Sequence, residues 1–176
     1  NEKNYVSSGH ALKGAEKAKF NNEHLKTAAR TKEILKRIPE GGNFTSIPKD
    51  SEYYVRGMIS HVYRRLDRNK PSTTLIAGGG GGTWGYHFEE PRPLTNRERA
   101  RLQTFPDNFV FVGNISEVRR QIGNAVPPEG VRPFARKIKE LLEGKKFIGQ
   151  TTLAVSDDDR QSNKGSKKLL HVQNKV

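Results

Sequence analysis

Cysteine is absent from this chain of 176 residues. Its absence excludes disulfide bonds, thiolate metal sites and cysteine nucleophiles within the chain. No apolar run approaches the roughly 18 residues that a membrane-spanning helix needs, and no signal peptide is recognisable, so we expect no membrane association. Apolar residues account for only 32% of the sequence, which predicts a modest core with polar appendages.

Positive charge, in contrast, is in large excess. The 32 Lys and Arg residues against 19 Asp and Glu residues give a formal net charge of +13. Such an excess favours a polyanionic partner, most often nucleic acid, although composition alone leaves a solvated basic surface as an alternative. We predict no metal site, because the histidines lack the paired spacing of metal ligands and are scattered: His10, His24, His61, His87 and His171.

Four segments are predicted to be helical from apolar spacing and capping residues: 22–37, 96–104, 117–122 and 131–142. The strongest start is at Thr95, where Glu98 three residues later completes the pattern of a capping box. Ser116 is the expected cap of the third helix. Gly123 and Gly144 are the expected stops of the third and fourth helices.

Two short segments, 72–77 and 109–113, are rich in β-branched or aromatic residues and predict strands. Five consecutive glycines, 78–82, follow the first of them and precede Trp84, the single tryptophan. A phosphate-binding loop fits poorly, because no helix opens directly after the glycines. A flexible linker remains open, as does a loop whose bare backbone comes close to a large partner.

Two longer motifs carry a specific resemblance. The segment Arg92–Phe109, RPLTNRERARLQTFPDNF, resembles the ninth conserved block of the DNA cytosine-5 methyltransferases, and Gln121–Pro128, QIGNAVPP, resembles the tenth. The stretches IPEGGNF, YRRLD and PSTTLIA are similar to the region that precedes the ninth block in many members. The resemblance covers residues 38–142.

This resemblance implies the fold class and the domain organisation. The chain would be the C-terminal part of an α/β, Rossmann-like, S-adenosylmethionine-dependent methyltransferase. Residues 38–113 would form a small mixed recognition region with the ninth block. Residues 114–144 would form the tenth block and a helix that returns to the catalytic domain. Residues 145–176 are expected to be a polar, disordered tail, and residues 1–37 a polar segment that either completes the recognition region or joins it.

The resemblance also implies which residues contact the ligands. The recognition region would read double-stranded DNA in the major groove, and the candidate contacts are Arg64, Arg65, Thr74, Gly79, Gly80 and Trp84. The tenth block would line the pocket for S-adenosylmethionine with Asn124, Ala125 and Val126. Thr95, Arg97 and Glu98 are expected to give structural support.

The family's catalytic group is missing from this sequence. The family attacks cytosine with a cysteine thiolate, and the chain also lacks the glycine-rich cofactor motif and the Glu-Asn-Val block. We therefore expect it to be inactive alone and to need a partner chain, or a missing N-terminal part, that carries the cysteine. The resemblance implies a cytoplasmic bacterial enzyme, typically of a restriction-modification system. A non-catalytic DNA-binding module derived from such an enzyme is the alternative.

Overall fold

The computed structural model of the chain describes residues 5–56, 60–78 and 85–144. It divides into two compact units, 1–135 and 136–176, and the second is described only as far as residue 144. The expectations for Gly79, Gly80 and Trp84 and for the tail 145–176 lie outside the described residues. Within those residues, no helix is long and apolar enough to cross a membrane.

Helices dominate the described part of the chain. They are α1 (Ser8–Leu12), α2 (Ala29–Lys36), α3 (Asn96–Leu102), α4 (Ile115–Asn124) and α5 (Pro128–Leu142), with short 3-10 turns at Ala15–Lys17 and Phe44–Ser46. The described residues form no strand, only two isolated bridges that pair Tyr86 with Arg65 and with Pro93. The α/β character of the family is therefore not visible in this part of the fold.

Both strand predictions were wrong, since neither segment pairs with a neighbouring strand in the described residues; side chains bond part of their backbone instead. Over 109–113, the Asn21 side chain donates to the Phe111 carbonyl at 3.0 Å and accepts from its amide at 3.0 Å. Over 72–77, the Ile76 carbonyl accepts a hydrogen bond from Arg99. Backbone groups satisfied in this way need no sheet partner.

The helix predictions hold best where a capping residue is unambiguous. Helix α3 begins as predicted, with a complete capping box between Thr95 and Glu98. Helix α2 is shorter than predicted: it begins at Ala29, and residues 22–28 are not helical. Helix α5 begins one turn earlier than expected, at Pro128, whose missing amide is tolerated in a first turn.

Both predicted ends of the third helix were wrong. Asn114 caps α4 by accepting from the Glu117 amide at 3.0 Å, so Ser116 lies inside the first turn. At the other end, α4 continues through Gly123 to Asn124. Glycine occupies this helical position because a neighbouring backbone lies against it: an added Cβ would sit 2.3 Å from the Cα of Ala77.

Among the residues that the structure describes, three small hydrophobic clusters form the core, and each joins segments that are distant in sequence. The first joins α3 to α4 and contains Ala100, Phe111, Val118 and Ile122, with Phe105 packed against it. The second joins α1 to the residues around α3 and contains Leu12, Leu66 and Leu94, with Phe88 and Leu102. The third surrounds the end of α2 and contains Ile34, Ile38 and Ile47, with Tyr53, Val55 and Tyr63. The N-terminal residues thus belong to the same packed unit as the ninth-block helix.

Candidate DNA- and cofactor-binding site

Helix α3 is held in place by an ion pair at its start. Glu98 accepts from the Thr95 amide at 2.8 Å and also receives two bonds of 2.8 Å from the Arg92 guanidinium. Burial by itself would lower the pKa of Arg92, but its bonds to Glu98 and Glu90 raise the pKa above the ordinary range. The carboxylate of Glu98 therefore acts in the fold, as both a cap and an ion-pair partner.

Arg97 connects α3 to two other segments. Its guanidinium is fully buried and donates to the carbonyls of Phe20 at 3.0 Å, Pro106 at 3.0 Å and Phe109 at 2.7 Å. Its backbone amide donates to the Asn21 carbonyl at 2.7 Å. Burial lowers the pKa of Arg97. Through these contacts Arg97, which we predicted to give structural support beside Thr95 and Glu98, holds α3 against both segments.

The two adjacent arginines proposed as DNA contacts lie in different environments. Arg65 is 9% exposed, and its guanidinium donates to five backbone carbonyls, those of Leu35, Ile38, His87, Phe88 and Glu89. Arg64 is half-buried, and its Nε donates to the Ser60 carbonyl at 3.0 Å. A DNA contact by Arg65 would require its five bonds to break, so Arg64 is the better placed of the two predicted contacts.

Arg64 faces the segment that leads into the glycine run, which we call the recognition stem (residues 72–78). It shares a small cavity with His61 and with Thr73, Thr74, Leu75 and Ile76 of the stem. Thr74 is exposed. The structure thus brings together two predicted DNA contacts, Arg64 and Thr74, at the base of the glycine run.

The recognition stem is held between α3 and α4. Arg99 donates to the Ile76 carbonyl at 2.6 Å from the α3 side. From the α4 side, Gly123 lies directly against Ala77. Burial and the nearby Arg119 lower the pKa of Arg99 to about 10. Sequence reasoning missed Arg99 and Gly123; the one available signal was a glycine inside a helical pattern, which often marks a close backbone approach.

The residues predicted to contact the cofactor follow the same glycine. Asn124 ends α4 and is exposed, Ala125 is its C-cap, and Val126 is 68% exposed. An amide that both donates and accepts hydrogen bonds, next to an uncovered apolar side chain, fits a nucleoside-like ligand with polar groups and a flat apolar ring. The described residues contain no cluster of His, Asp or Glu that could hold a metal ion.

Comparison with known proteins identifies the family of the chain. The family model of the C-5 cytosine-specific DNA methylases matches residues 2–140. The type II methyltransferase M.NgoFVII of Neisseria gonorrhoeae is 64% identical over 140 residues, which are 80% of this chain and 37% of that protein. M.BbvI of Brevibacillus brevis is 47% identical over 131 residues, which are 73% of this chain and 35% of that protein.

A third relative shows the same partial coverage. The DNA (cytosine-5-)-methyltransferase M.ApeKI of Aeropyrum pernix is 50% identical over 113 residues, which are 63% of this chain and 24% of that protein. The chain therefore spans between about a quarter and two fifths of the length of these relatives. It belongs to the C-5 cytosine-specific DNA methylase family, whose cofactor is S-adenosylmethionine.

Proposed function

We propose that this chain is the DNA-recognising portion of a DNA cytosine-5 methyltransferase and that it also supplies part of the cofactor pocket. The enzyme would methylate C5 of a cytosine within a specific duplex sequence. The observation that carries the proposal is the contact of Gly123 with Ala77. It joins the recognition stem to the helix whose last residue is Asn124, so that the proposed DNA-binding and cofactor-binding residues share one support.

Different residues of this chain would bind the two ligands, DNA and S-adenosylmethionine. Arg64 and Thr74, with the glycine run, would contact the duplex, because arginine forks onto guanine edges and phosphates and glycines allow a close backbone approach. Asn124 and Val126 would hold S-adenosylmethionine, which supplies the methyl group when bound. Access to C5 requires the cytosine to leave the base stack, so Arg64 and Thr74 must hold the flanking duplex while it does.

The catalytic cysteine would come from outside this sequence. The chain contains no cysteine and matches little more than a third of each of the two relatives from Neisseria and Brevibacillus. The missing portion would be either a partner subunit or the remaining length of a longer protein. Because those relatives are type II methyltransferases, we also propose a role in a bacterial restriction-modification system, in the cytoplasm where the DNA is.

Helix α5 is the proposed docking element for that catalytic portion. Its apolar residues repeat at helical spacing but are not covered: Val131 is 42% exposed, Phe134 69% and Ile138 58%. An uncovered apolar face of this kind marks an interaction surface. We expect the chain by itself to be poorly soluble and to become soluble with the catalytic portion bound.

A reconstitution experiment tests the proposal. Labelled S-adenosylmethionine and mixed-sequence duplex DNA would be incubated with the chain alone, and then with the chain plus the portion of M.NgoFVII that it does not match. We expect no incorporation by the chain alone and incorporation at cytosine in the mixture. Incorporation by the chain alone would contradict the need for a cysteine. DNA binding without incorporation in either case would favour the non-catalytic module.

A further inference from the structure

Thr104 has an unusual backbone conformation. It follows Gln103, the C-cap of α3, and adopts a left-handed φ of 64°. Glycine or asparagine is the usual residue in this conformation after a helix, and a β-branched residue there is strained. The Thr104 amide donates to the Arg101 carbonyl at 2.8 Å, so the conformation closes the last turn of the helix. That closure needs no side chain, and glycine would make it at less cost.

The Thr104 hydroxyl forms a bond that glycine could not. Its Oγ1 accepts from the Glu129 amide at 3.0 Å. Glu129 lies in the first turn of α5, where backbone amides have no acceptor within the helix. The strained residue therefore caps the next helix from outside and ties the start of α5 to the end of α3.

The neighbouring side chain holds the other end of the same loop. Gln103 Nε2 donates to the Ile122 carbonyl at 3.2 Å, near the end of α4. The two bonds bracket the segment between Ile122 and Glu129, which we call the cofactor loop. Asn124, Ala125 and Val126 lie between the two anchors. Within the loop, the Ala125 amide donates to the Ile122 carbonyl at 3.3 Å, a bond between residues close in sequence.

We propose that Thr104 is a positioning residue for cofactor binding: its hydroxyl fixes the far end of the cofactor loop so that Asn124 and Val126 are presented in a defined geometry. Loops lose conformational freedom when they bind a ligand, and a preorganised loop loses less. The inference rests on the cofactor role in the proposed function. It adds a residue that touches neither ligand and acts through the Glu129 amide.

Three substitutions separate this role from simple stabilisation. Thr104→Ser keeps the hydroxyl, Thr104→Gly removes the hydroxyl and the left-handed strain, and Thr104→Val removes the hydroxyl but keeps the strain and the shape. A structural role predicts that cofactor affinity follows thermal stability, with glycine better than valine. A positioning role predicts that affinity follows the hydroxyl, so that glycine and valine are equally impaired although they differ in stability.

The affinity measurement uses the reconstituted complex and S-adenosylhomocysteine, titrated by calorimetry. We expect the serine variant to bind as the wild type does. The glycine and valine variants should each bind about 5-fold more weakly, the usual effect of one lost hydrogen bond. Thermal midpoints, measured on the same proteins, should place glycine above valine.

Hydrogen exchange on the full chain gives a readout that needs no cofactor. In the glycine variant, the Glu129 amide should exchange about 5-fold faster. The Val131 amide, which donates to the Pro127 carbonyl at 3.1 Å, is the internal control and should keep its rate. Unchanged exchange at Glu129 would show that the hydroxyl does not hold the loop and would overturn the inference.

The outcomes distinguish failure of the inference from failure of the proposed function. If the wild-type complex binds S-adenosylhomocysteine and the glycine variant binds it equally well, the positioning role alone is refuted. If the wild-type complex binds none, the cofactor role of the chain is refuted and the positioning role with it.

Discussion

Helices α3 and α5 reverse the usual distribution of polar and apolar residues. Helix α3 buries Asn96, Arg97, Glu98 and Arg99, whereas α5 has no buried residue and exposes Phe134, Ile138 and Leu142. Buried charge is tolerated only where hydrogen bonds and ion pairs replace water, and α3 finds such partners within this chain. The apolar face of α5, in contrast, stays exposed. The two helices therefore differ in whether contacts within the described residues satisfy their unusual side chains.

The largest expected effect comes from removing the buried hydrogen bonds of α3. Arg97→Met would leave the carbonyls of Phe20, Pro106 and Phe109 without their buried donor. We expect a loss of about 3 kcal/mol in the free energy of unfolding, measured by urea denaturation. Arg120→Met is the matched control, because Arg120 is exposed and pairs with the exposed Glu117; it should leave the midpoint unchanged. Equal effects would refute the structural role of Arg97.

Gly123→Ala tests the link between the recognition stem and α4. The new Cβ would meet the backbone of Ala77, which must move, and overpacking of this kind costs about 2 kcal/mol. The control is Gly130→Ala in α5, where the nearest atom is Pro127 Cβ at 3.7 Å. Replacing a helical glycine by alanine in open space should stabilise by up to about 1 kcal/mol. A lower thermal midpoint for Gly123→Ala together with a higher one for Gly130→Ala would confirm the close contact.

A substitution on α5 should act on association rather than on folding. Phe134→Ser removes a large exposed side chain, so the unfolding midpoint of the chain should not fall. Its affinity for the catalytic portion should fall about 10-fold, because buried aromatic anchors dominate interfaces. Lys139→Ser, elsewhere on the same helix and 77% exposed at the side chain, is the control and should bind normally. Equal binding by both variants would place the docking surface away from α5.

The smallest expected effect is a pH dependence centred on His87. Burial lowers the pKa of His87, and its Nδ1 accepts from the amides of Glu89 and Glu90, both at 3.1 Å. The unfolded chain therefore takes up this proton at a higher pH than the folded chain. Stability should be complete above the ordinary imidazole pKa of about 6.5 and fall as the pH drops below it.

The variant His87→Gln isolates this contribution from those of the other histidines. Glutamine does not titrate, so the variant should lose part of the decline in stability between about pH 6.5 and pH 5. The comparison of urea midpoints at several pH values for the two proteins measures the difference. If the urea midpoints of the two proteins fell equally with pH, His87 would take up its proton at the same pH in the folded and unfolded chain.

The accuracy of the sequence predictions varied with the kind of signal. The capping box at Thr95 and the apolar spacing of α5 were sufficient to predict these two helices, because both signals act within one or two turns of a helix. The sequence wrongly predicts a stop at Gly123, because the close neighbour of this glycine, Ala77, is far away in the chain. The segments 72–77 and 109–113 have strand-like composition, but no neighbouring strand pairs with them in the described part of the structure.

The candidate site was predicted in a similarly uneven way. The motif positions Asn124 and Thr74 came from the resemblance alone and remain candidates, while Arg64 and Arg65 were indistinguishable by sequence. The structure separates those two, because the direction of each guanidinium depends on which carbonyls surround it. The role of Thr104 had no sequence signal, since threonine commonly follows a helix without adopting a left-handed conformation.

The sequence by itself determined the family, the absence of cysteine from this chain, the start of α3 and the apolar face of α5. These properties depend on residue identity and on spacing within a few turns. Only the tertiary structure decided which arginine is structural, why Gly123 lies inside a helix, and how Gln103 and Thr104 hold the cofactor loop. Each of those depends on a contact between distant segments, and such contacts become visible only when the chain has folded.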